Sequence, residues 1–163
     1  MSRYRPPAPK KSPYITAAGM LVLQQEEIAI WKKRRRVVVA LTAAAEEGDR
    51  SENADYIYRK KQLRELDRRI RYLQKRLPDL NVVDTVPSDQ DKVFFGATVH
   101  LEDENDSLTI YRIVGPDEFD QQTHYISIDS PLSIGLLKKN LGDEVKIKTP
   151  GGLQQYLIVA IEY

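Results

Sequence analysis

Asp49 and Glu52 stand three residues apart in Gly48-Asp49-Arg50-Ser51-Glu52-Asn53-Ala54-Asp55-Tyr56, between two long helix-forming stretches rich in Lys and Arg. If a helix begins in this turn, both carboxylates fall on one side of it. Two readings of the spacing stand side by side. Asp-x-x-Glu at a helix start is a capping-box pattern, in which side chains satisfy free backbone N–H groups. That is the more ordinary role of a lone Asp-x-x-Glu; the same two residues are also an oxygen pair of the kind that binds Mg²⁺, which often takes only one or two carboxylates while water and phosphate complete its shell. A pair on an isolated tip binds metal poorly alone, but it can complete a site whose other ligands belong to a partner. In phosphoryl transfer a second ion held in this way activates water and steadies developing charge.

The flanking cations suggest the same kind of partner. Lys32, Lys33, Arg34, Arg35 and Arg36 form a run before the turn, and Arg59, Lys60, Lys61, Arg64, Arg68, Arg69, Arg71, Lys75 and Arg76 follow it. Helical spacing prevents all of them from sharing a face, so some are ordinary solvated residues. A helix pair this basic attracts polyphosphate and loses affinity as salt rises. Tyr56 and Tyr58 could stack on a base, although packing in the seam between the helices is the simpler role for Tyr56.

Other chemistries are poorly supplied. Cys is absent from the 163 residues, which removes disulfides, thiol nucleophiles and thiolate zinc sites. The only imidazoles are His100 and His124, which could share a metal or serve as plain strand and loop residues. The net charge of +1 hides a division. Residues 1–80 carry 19 Lys+Arg against 10 Asp+Glu, and residues 81–163 carry 6 against 14. Such asymmetry suggests a nucleic-acid or other acidic partner for the first half and a different partner for the second, or else two solvated surfaces. Residues 1–13 combine four Arg or Lys with four Pro and read as an extended basic arm, without the apolar stretch of a signal peptide. No apolar run is long enough to cross a bilayer, so a cytoplasmic protein with no membrane partner is expected.

The elements that must position the turn follow from periodicity. From about Thr16 to Glu47 apolar residues recur at Met20, Leu23, Ile30, Val37, Leu41 and Ala44, a heptad seam interrupted by Glu27 and Arg34. A competing seam runs through Ile28, Trp31, Val38 and Ala45, and both remain open. The β-branched run Val37–Val39 lies inside a helical pattern. Leu63, Leu66, Ile70, Leu73 and Leu77 mark a second helix that extends back to Tyr56 and is closed by Pro78. A short connection makes the two antiparallel, a hairpin on the order of 45 Å long. Residues 80–91 read as a linker. Period-two patterns then predict strands over 93–101, 108–114 and 125–128, and Ser130-Pro131 predicts a helix running to about Asn140 and ended by Gly142. A closing hairpin joins 145–148 to 153–161 through Thr149-Pro150-Gly151-Gly152. The expected fold class is mixed α+β: arm 1–13, coiled-coil hairpin 14–79, linker 80–91 and a compact α+β domain 92–163.

The nonapeptide beginning Gly48-Asp49, followed by Arg64-Glu65-Leu66-Asp67-Arg68-Arg69-Ile70-Arg71-Tyr72-Leu73, resembles the bacterial Gre transcript-cleavage factors, closest to their GreB branch. Lys92-Val93-Phe94-Phe95-Gly96-Ala97, Ile126-Ser127-Ile128-Asp129-Ser130-Pro131, and Leu136-Leu137-Lys138-Lys139 with Gly142-Asp143 resemble that family's C-terminal domain. The match covers roughly residues 14–163 in order. The resemblance implies a coiled-coil hairpin that enters the secondary channel of RNA polymerase. It also implies an FKBP-like domain that docks on the coiled coil of the largest subunit. Asp49 and Glu52, supported by Arg50 and Ser51, would then help the polymerase hold a second Mg²⁺, so that its own nuclease activity removes the backtracked 3′ end of nascent RNA. The factor would be a monomeric accessory rather than an enzyme, with no metal bound tightly alone. Lys32, Lys33, Arg34, Arg35, Arg36, Arg59, Lys60, Arg64 and Arg68 are the candidate RNA-facing cations. The competing functions are a non-cleaving regulator of the same channel, a stand-alone nuclease, and a prolyl isomerase built on residues 92–163. The arm is longer than the family pattern needs.

Overall fold

The computed structural model describes residues 6–50 and 52–163, which form two compact units, one within residues 20–80 and one combining 6–19 with 81–163. The first five residues of the arm, and Ser51, lie outside the described residues.

The unit of residues 20–80 is a helix pair, α1 (Ala17–Glu46) and α2 (Ala54–Arg76), with the Val37–Val39 run helical throughout. Leu23, Ile30, Val37 and Ala44 are buried at seven-residue intervals, and Leu66, Ile70 and Leu73 face them from α2. Ile28, the first residue of the competing seam, is 72 % exposed, which decides the register. Glu27 and Arg34 therefore do occupy seam positions and are half-buried there. Arg34 Nε donates to Asp67 Oδ1 at 2.6 Å. Arg69 grips Glu26 with both arms of its guanidinium, at 2.6 and 2.8 Å. The earlier residue of α1, Glu26, pairs with the later residue of α2, Arg69, and Arg34 with Asp67, so the helices are antiparallel. A polar residue at a core position lowers stability but fixes register, and here ion pairs perform that task. Pro78 sits in a 3-10 turn, Leu77–Asp79, that ends α2.

In the other unit a five-stranded sheet has the order β5-β4-β3-β7-β6, from β3 (Thr98–Asp103), β4 (Leu108–Val114), β5 (Tyr125–Ser127), β6 (Glu144–Thr149) and β7 (Gly152–Glu162), with α3 (Pro131–Leu136) beside it. Val99, Leu101, Ile113, Leu136, Val145, Ile147 and Ile158 form its core. Residues 80–91, read as a linker, contain a strand: β2 (Asn81–Val83) pairs in parallel with β1 (Tyr14–Thr16). The expected strand 93–101 begins only at Thr98. Ahead of it Phe94–Ala97 is a turn closed by Ala97 N–H to the Phe94 carbonyl at 3.2 Å, with Gly96 at φ +87°. The helix expected to reach Asn140 stops at Leu136. Beyond it Lys138 takes φ +66°, and the backbones of Lys138 and Lys139 pair with that of Val93 at 2.8 and 2.9 Å. The arm is also tethered within this unit. Lys11 lies 3.6 Å from Asp117, and Ser12 N–H donates to Asp129 Oδ2 at 2.9 Å.

Candidate functional site

The connection between Glu46 and Ala54 carries the acidic pair. The first four N–H groups and last four carbonyls of a helix have no partner within it, and one side chain serves both helix ends here. Asn53 is the N-cap of α2 and its Oδ1 accepts from Tyr56 N–H at 3.0 Å. Its Nδ2 donates to the Ala44 carbonyl in the last turn of α1 at 2.8 Å. Gly48, at φ +145°, lets the chain leave α1 in a conformation closed to most side chains. Glu52 N–H then donates to the Asp49 carbonyl at 3.3 Å. A four-residue turn closed in this way holds its end Cα atoms within about 7 Å.

The carboxylates of Asp49 and Glu52 thus sit at the two ends of one turn, and both residues are exposed. The helix-start reading of their spacing does not hold. α2 begins after them, Asn53 fills the cap, and the acidic residue of its first turn is Asp55, 3.3 Å from Arg59. Arg50 reaches the Tyr56 ring at 5.9 Å and Lys60 reaches it at 5.8 Å, within the range of cation–π attraction. Tyr56 is therefore half-buried and flanked by cations. Ser51, the other supporting residue, lies outside the described residues.

The nine candidate cations are not gathered into one patch. Arg34 is committed to Asp67 in the seam, and Arg59 Nε lies 3.3 Å from Asp55 Oδ1 in the first turn of α2 without a hydrogen bond to it. Lys60, Arg64 and Arg68 follow one another at four-residue spacing along an exposed stripe of α2. Lys32, Arg35 and Arg36 are exposed on α1. Lys33 instead edges a groove of about 400 Å³ between the helices, floored by Ile30 and Leu66 and bordered by Tyr58, Lys61 and Gln62. Gln62 Oε1 is screened from solvent there without a hydrogen-bond donor among the described residues. Tyr58 is 58 % exposed beside it.

Asn53 is the residue that acid spacing concealed. An Asn directly before Ala-Asp at the start of a helical pattern is itself a cap signal. The two imidazoles are apart in role: His100 Nε2 lies 3.2 Å from Glu162 across two strands, and His124 meets the Tyr125 ring edge-on. Among the described residues no group of three or more His, Cys, Asp or Glu could hold a metal ion, and no helix is long and apolar enough to cross a membrane.

Two family models match the chain. The N-terminal model of transcription elongation factors covers residues 13–82, and the GreA/GreB C-terminal model covers residues 87–163. A transcription elongation factor GreB of Xanthomonas axonopodis pv. citri is 55 % identical over 165 aligned positions, spanning 100 % of this chain and 98 % of that protein. Its counterpart in Pseudomonas aeruginosa is 51 % identical, with the same coverage. Among solved structures, a prokaryotic GreA/GreB elongation factor from Nitrosomonas europaea is 21 % identical with a TM-score of 0.41, covering 93 % of this chain and 100 % of that one.

Proposed function

The chain belongs to the GreA/GreB family of transcription elongation factors, and from that premise we propose that it is a cleavage-stimulating member whose acidic turn works inside the active centre of RNA polymerase. It is an accessory of RNA polymerase rather than an enzyme. In the proposed reading it is a cytoplasmic monomer whose helix pair enters the polymerase's secondary channel. Its second unit rests on the coiled coil of the largest subunit, and the substrate is the backtracked 3′ end of nascent RNA.

The observation that carries this is the turn itself: two exposed carboxylates, Asp49 and Glu52, closed together by a backbone hydrogen bond between a pair of cationic helices. Two exposed hard oxygen donors fit Mg²⁺, which keeps several waters and needs few protein ligands. They are too few for a dedicated site, which favours sharing the ion with the polymerase. When bound, that ion lowers the pKa of a coordinated water and offsets charge on the phosphoryl oxygens. This chain's part is to deliver the two carboxylates from one turn, and to keep Arg50 against Tyr56 beside them. The exposed stripe of Lys60, Arg64 and Arg68 and the groove edged by Lys33 and Lys61 present positive charge to the RNA backbone.

A defined backtracked complex, incubated with the chain and with Asp49→Asn or Glu52→Gln, tests the reading. The native chain releases 3′ fragments. Either variant binds polymerase as before and loses the stimulation. Cleavage at the native rate by either variant removes the assignment. Binding with no cleavage by the native chain identifies instead a non-cleaving occupant of the channel.

A further inference from the structure

We infer that Asn53 is a positioning residue for the acidic turn, setting where Asp49 and Glu52 stand by tying the end of α1 to the start of α2; this rests on the cleavage reading above. The connection between the helices runs from Glu47 to Asn53, and the two polar side-chain atoms of Asn53 engage both helices. Its oxygen holds Tyr56 N–H, and its nitrogen holds the Ala44 carbonyl. Ala44 is 2 % exposed, in the last buried layer of the seam, so the point of attachment on α1 is itself fixed. Tyr56 carries the Arg50 guanidinium on its ring, which brings the middle of the turn back to the residue that Asn53 caps. The contacts Ala44–Asn53–Tyr56–Arg50 therefore link the end of α1, the start of α2 and the residue next to Asp49.

An amide is the side chain suited to this. Asp or Ser can cap α2 equally well, since the cap needs only an acceptor. Neither supplies a donor with the reach of Nδ2, so the Ala44 carbonyl loses its second partner and keeps only the longer contact from Glu47 N–H at 3.4 Å. Without the bridge each helix end still forms, but the separation of the ends is no longer set by a side chain. An ion whose shell is shared between two molecules is sensitive to that freedom, because misplacement of order 1 Å can cost about 100-fold in rate.

The test compares the full-length native chain with Asn53→Ser, which keeps the cap and loses the bridge, and with Asn53→Ala, which loses both. Cleavage of a defined backtracked complex is followed against factor concentration and against Mg²⁺ concentration. Asn53→Ser is expected to half-saturate polymerase at the native factor concentration, to cleave on the order of tenfold more slowly at limiting Mg²⁺, and to recover as Mg²⁺ is raised. Asn53→Ala shows the same Mg²⁺ dependence together with a lower melting temperature. Native rates and native Mg²⁺ dependence in Asn53→Ser overturn the inference. So does a deficit in Asn53→Ser that added factor repairs and added Mg²⁺ does not, since that marks a folding role alone. If the native chain stimulates no cleavage, the functional reading itself fails and takes this inference with it.

Discussion

Thr16 Oγ1 donates to Glu118 Oε2 at 2.6 Å, and that carboxylate has no exposure to solvent. Glu118 also accepts from Thr16 N–H at 2.9 Å and from Gly115 N–H at 2.8 Å. Thr16 in turn accepts from Gly19 N–H at 3.0 Å, so one threonine caps α1 and grips a buried charge. A buried carboxylate is tolerable only when its oxygens are satisfied in this manner.

Gly19 is the sensitive point of that arrangement. A Cβ there would stand 1.7 Å from Glu118 Oε2 and 3.1 Å from an Ile15 side-chain carbon. Helix propensity alone says that Gly19→Ala gains about 1 kcal/mol. Displacing Glu118 breaks charge-assisted hydrogen bonds worth about 1.5–3 kcal/mol each, so the net sign reverses. Gly19→Ala is expected to destabilise the chain by about 2 kcal/mol, read from denaturant midpoints. An unchanged or raised midpoint would show that Glu118 can swing aside without loss.

Arg34 invites the opposite outcome. It fills a seam position, and its partner Asp67 keeps 36 % side-chain exposure. Removing the guanidinium therefore leaves no buried orphan charge. Leu at that position extends the apolar layers of Ile30 and Val37. Arg34→Leu should stabilise the helix pair by about 1 kcal/mol, seen as a higher denaturant midpoint with the slope unchanged. A lower midpoint would mean that the Arg34–Asp67 pair contributes more than a Leu can.

The strengths and failures of sequence reading share a physical basis. β4 was predicted at its observed bounds because alternation is a local signal, and the α2 stripe likewise. The register of α1 stayed open because Glu27 and Arg34 sit where apolar residues are expected. The Asp67 that pairs with Arg34 lies on another helix. The end of α3 was misplaced by about four residues because Lys138 and Lys139 are claimed by the backbone of Val93, a long-range pairing that composition does not announce. At the candidate site the acids were legible and the device between the helices was not. Spacing shows that Asp49 and Glu52 are near each other, but only coordinates show that Asn53 caps one helix and ties down the other.

Tyr163 gives the second unit an alkaline limit. Its hydroxyl accepts from Phe94 N–H at 2.8 Å and donates to the Lys92 carbonyl. Burial raises its pKa above the usual 10.0, the Phe94 N–H pulls it down in part, and the Asp89 carboxylate adds to the rise. The folded state thus holds the phenol proton more tightly than the unfolded chain. The stability from this group is complete below pH 10.0 and is lost as pH rises through the folded value. Tyr163→Phe should lower stability by about 1–3 kcal/mol at neutral pH, since two backbone groups lose their partner. It should also flatten the fall above pH 10.0. A native chain whose stability does not fall there would contradict the argument.

The groove between the helices yields a prediction about RNA rather than about stability. Lys33, Lys61 and Gln62 border it, and Tyr58 stands exposed at its edge. A base has a face for the tyrosine, while its phosphate suits the lysines. Tyr58→Ala should weaken engagement of a backtracked 3′ segment by about 1–3 kcal/mol. Each lysine replaced by glutamine should reduce the slope of log affinity against log salt by about 0.7. Docking on polymerase without extruded RNA should not change, which separates lost RNA contact from lost binding. If instead polymerase with the variants cleaves short and long extrusions at native rates and with native salt dependence, the groove takes no RNA. The exposed stripe of Lys60, Arg64 and Arg68 then remains as the surface on which to repeat the measurement.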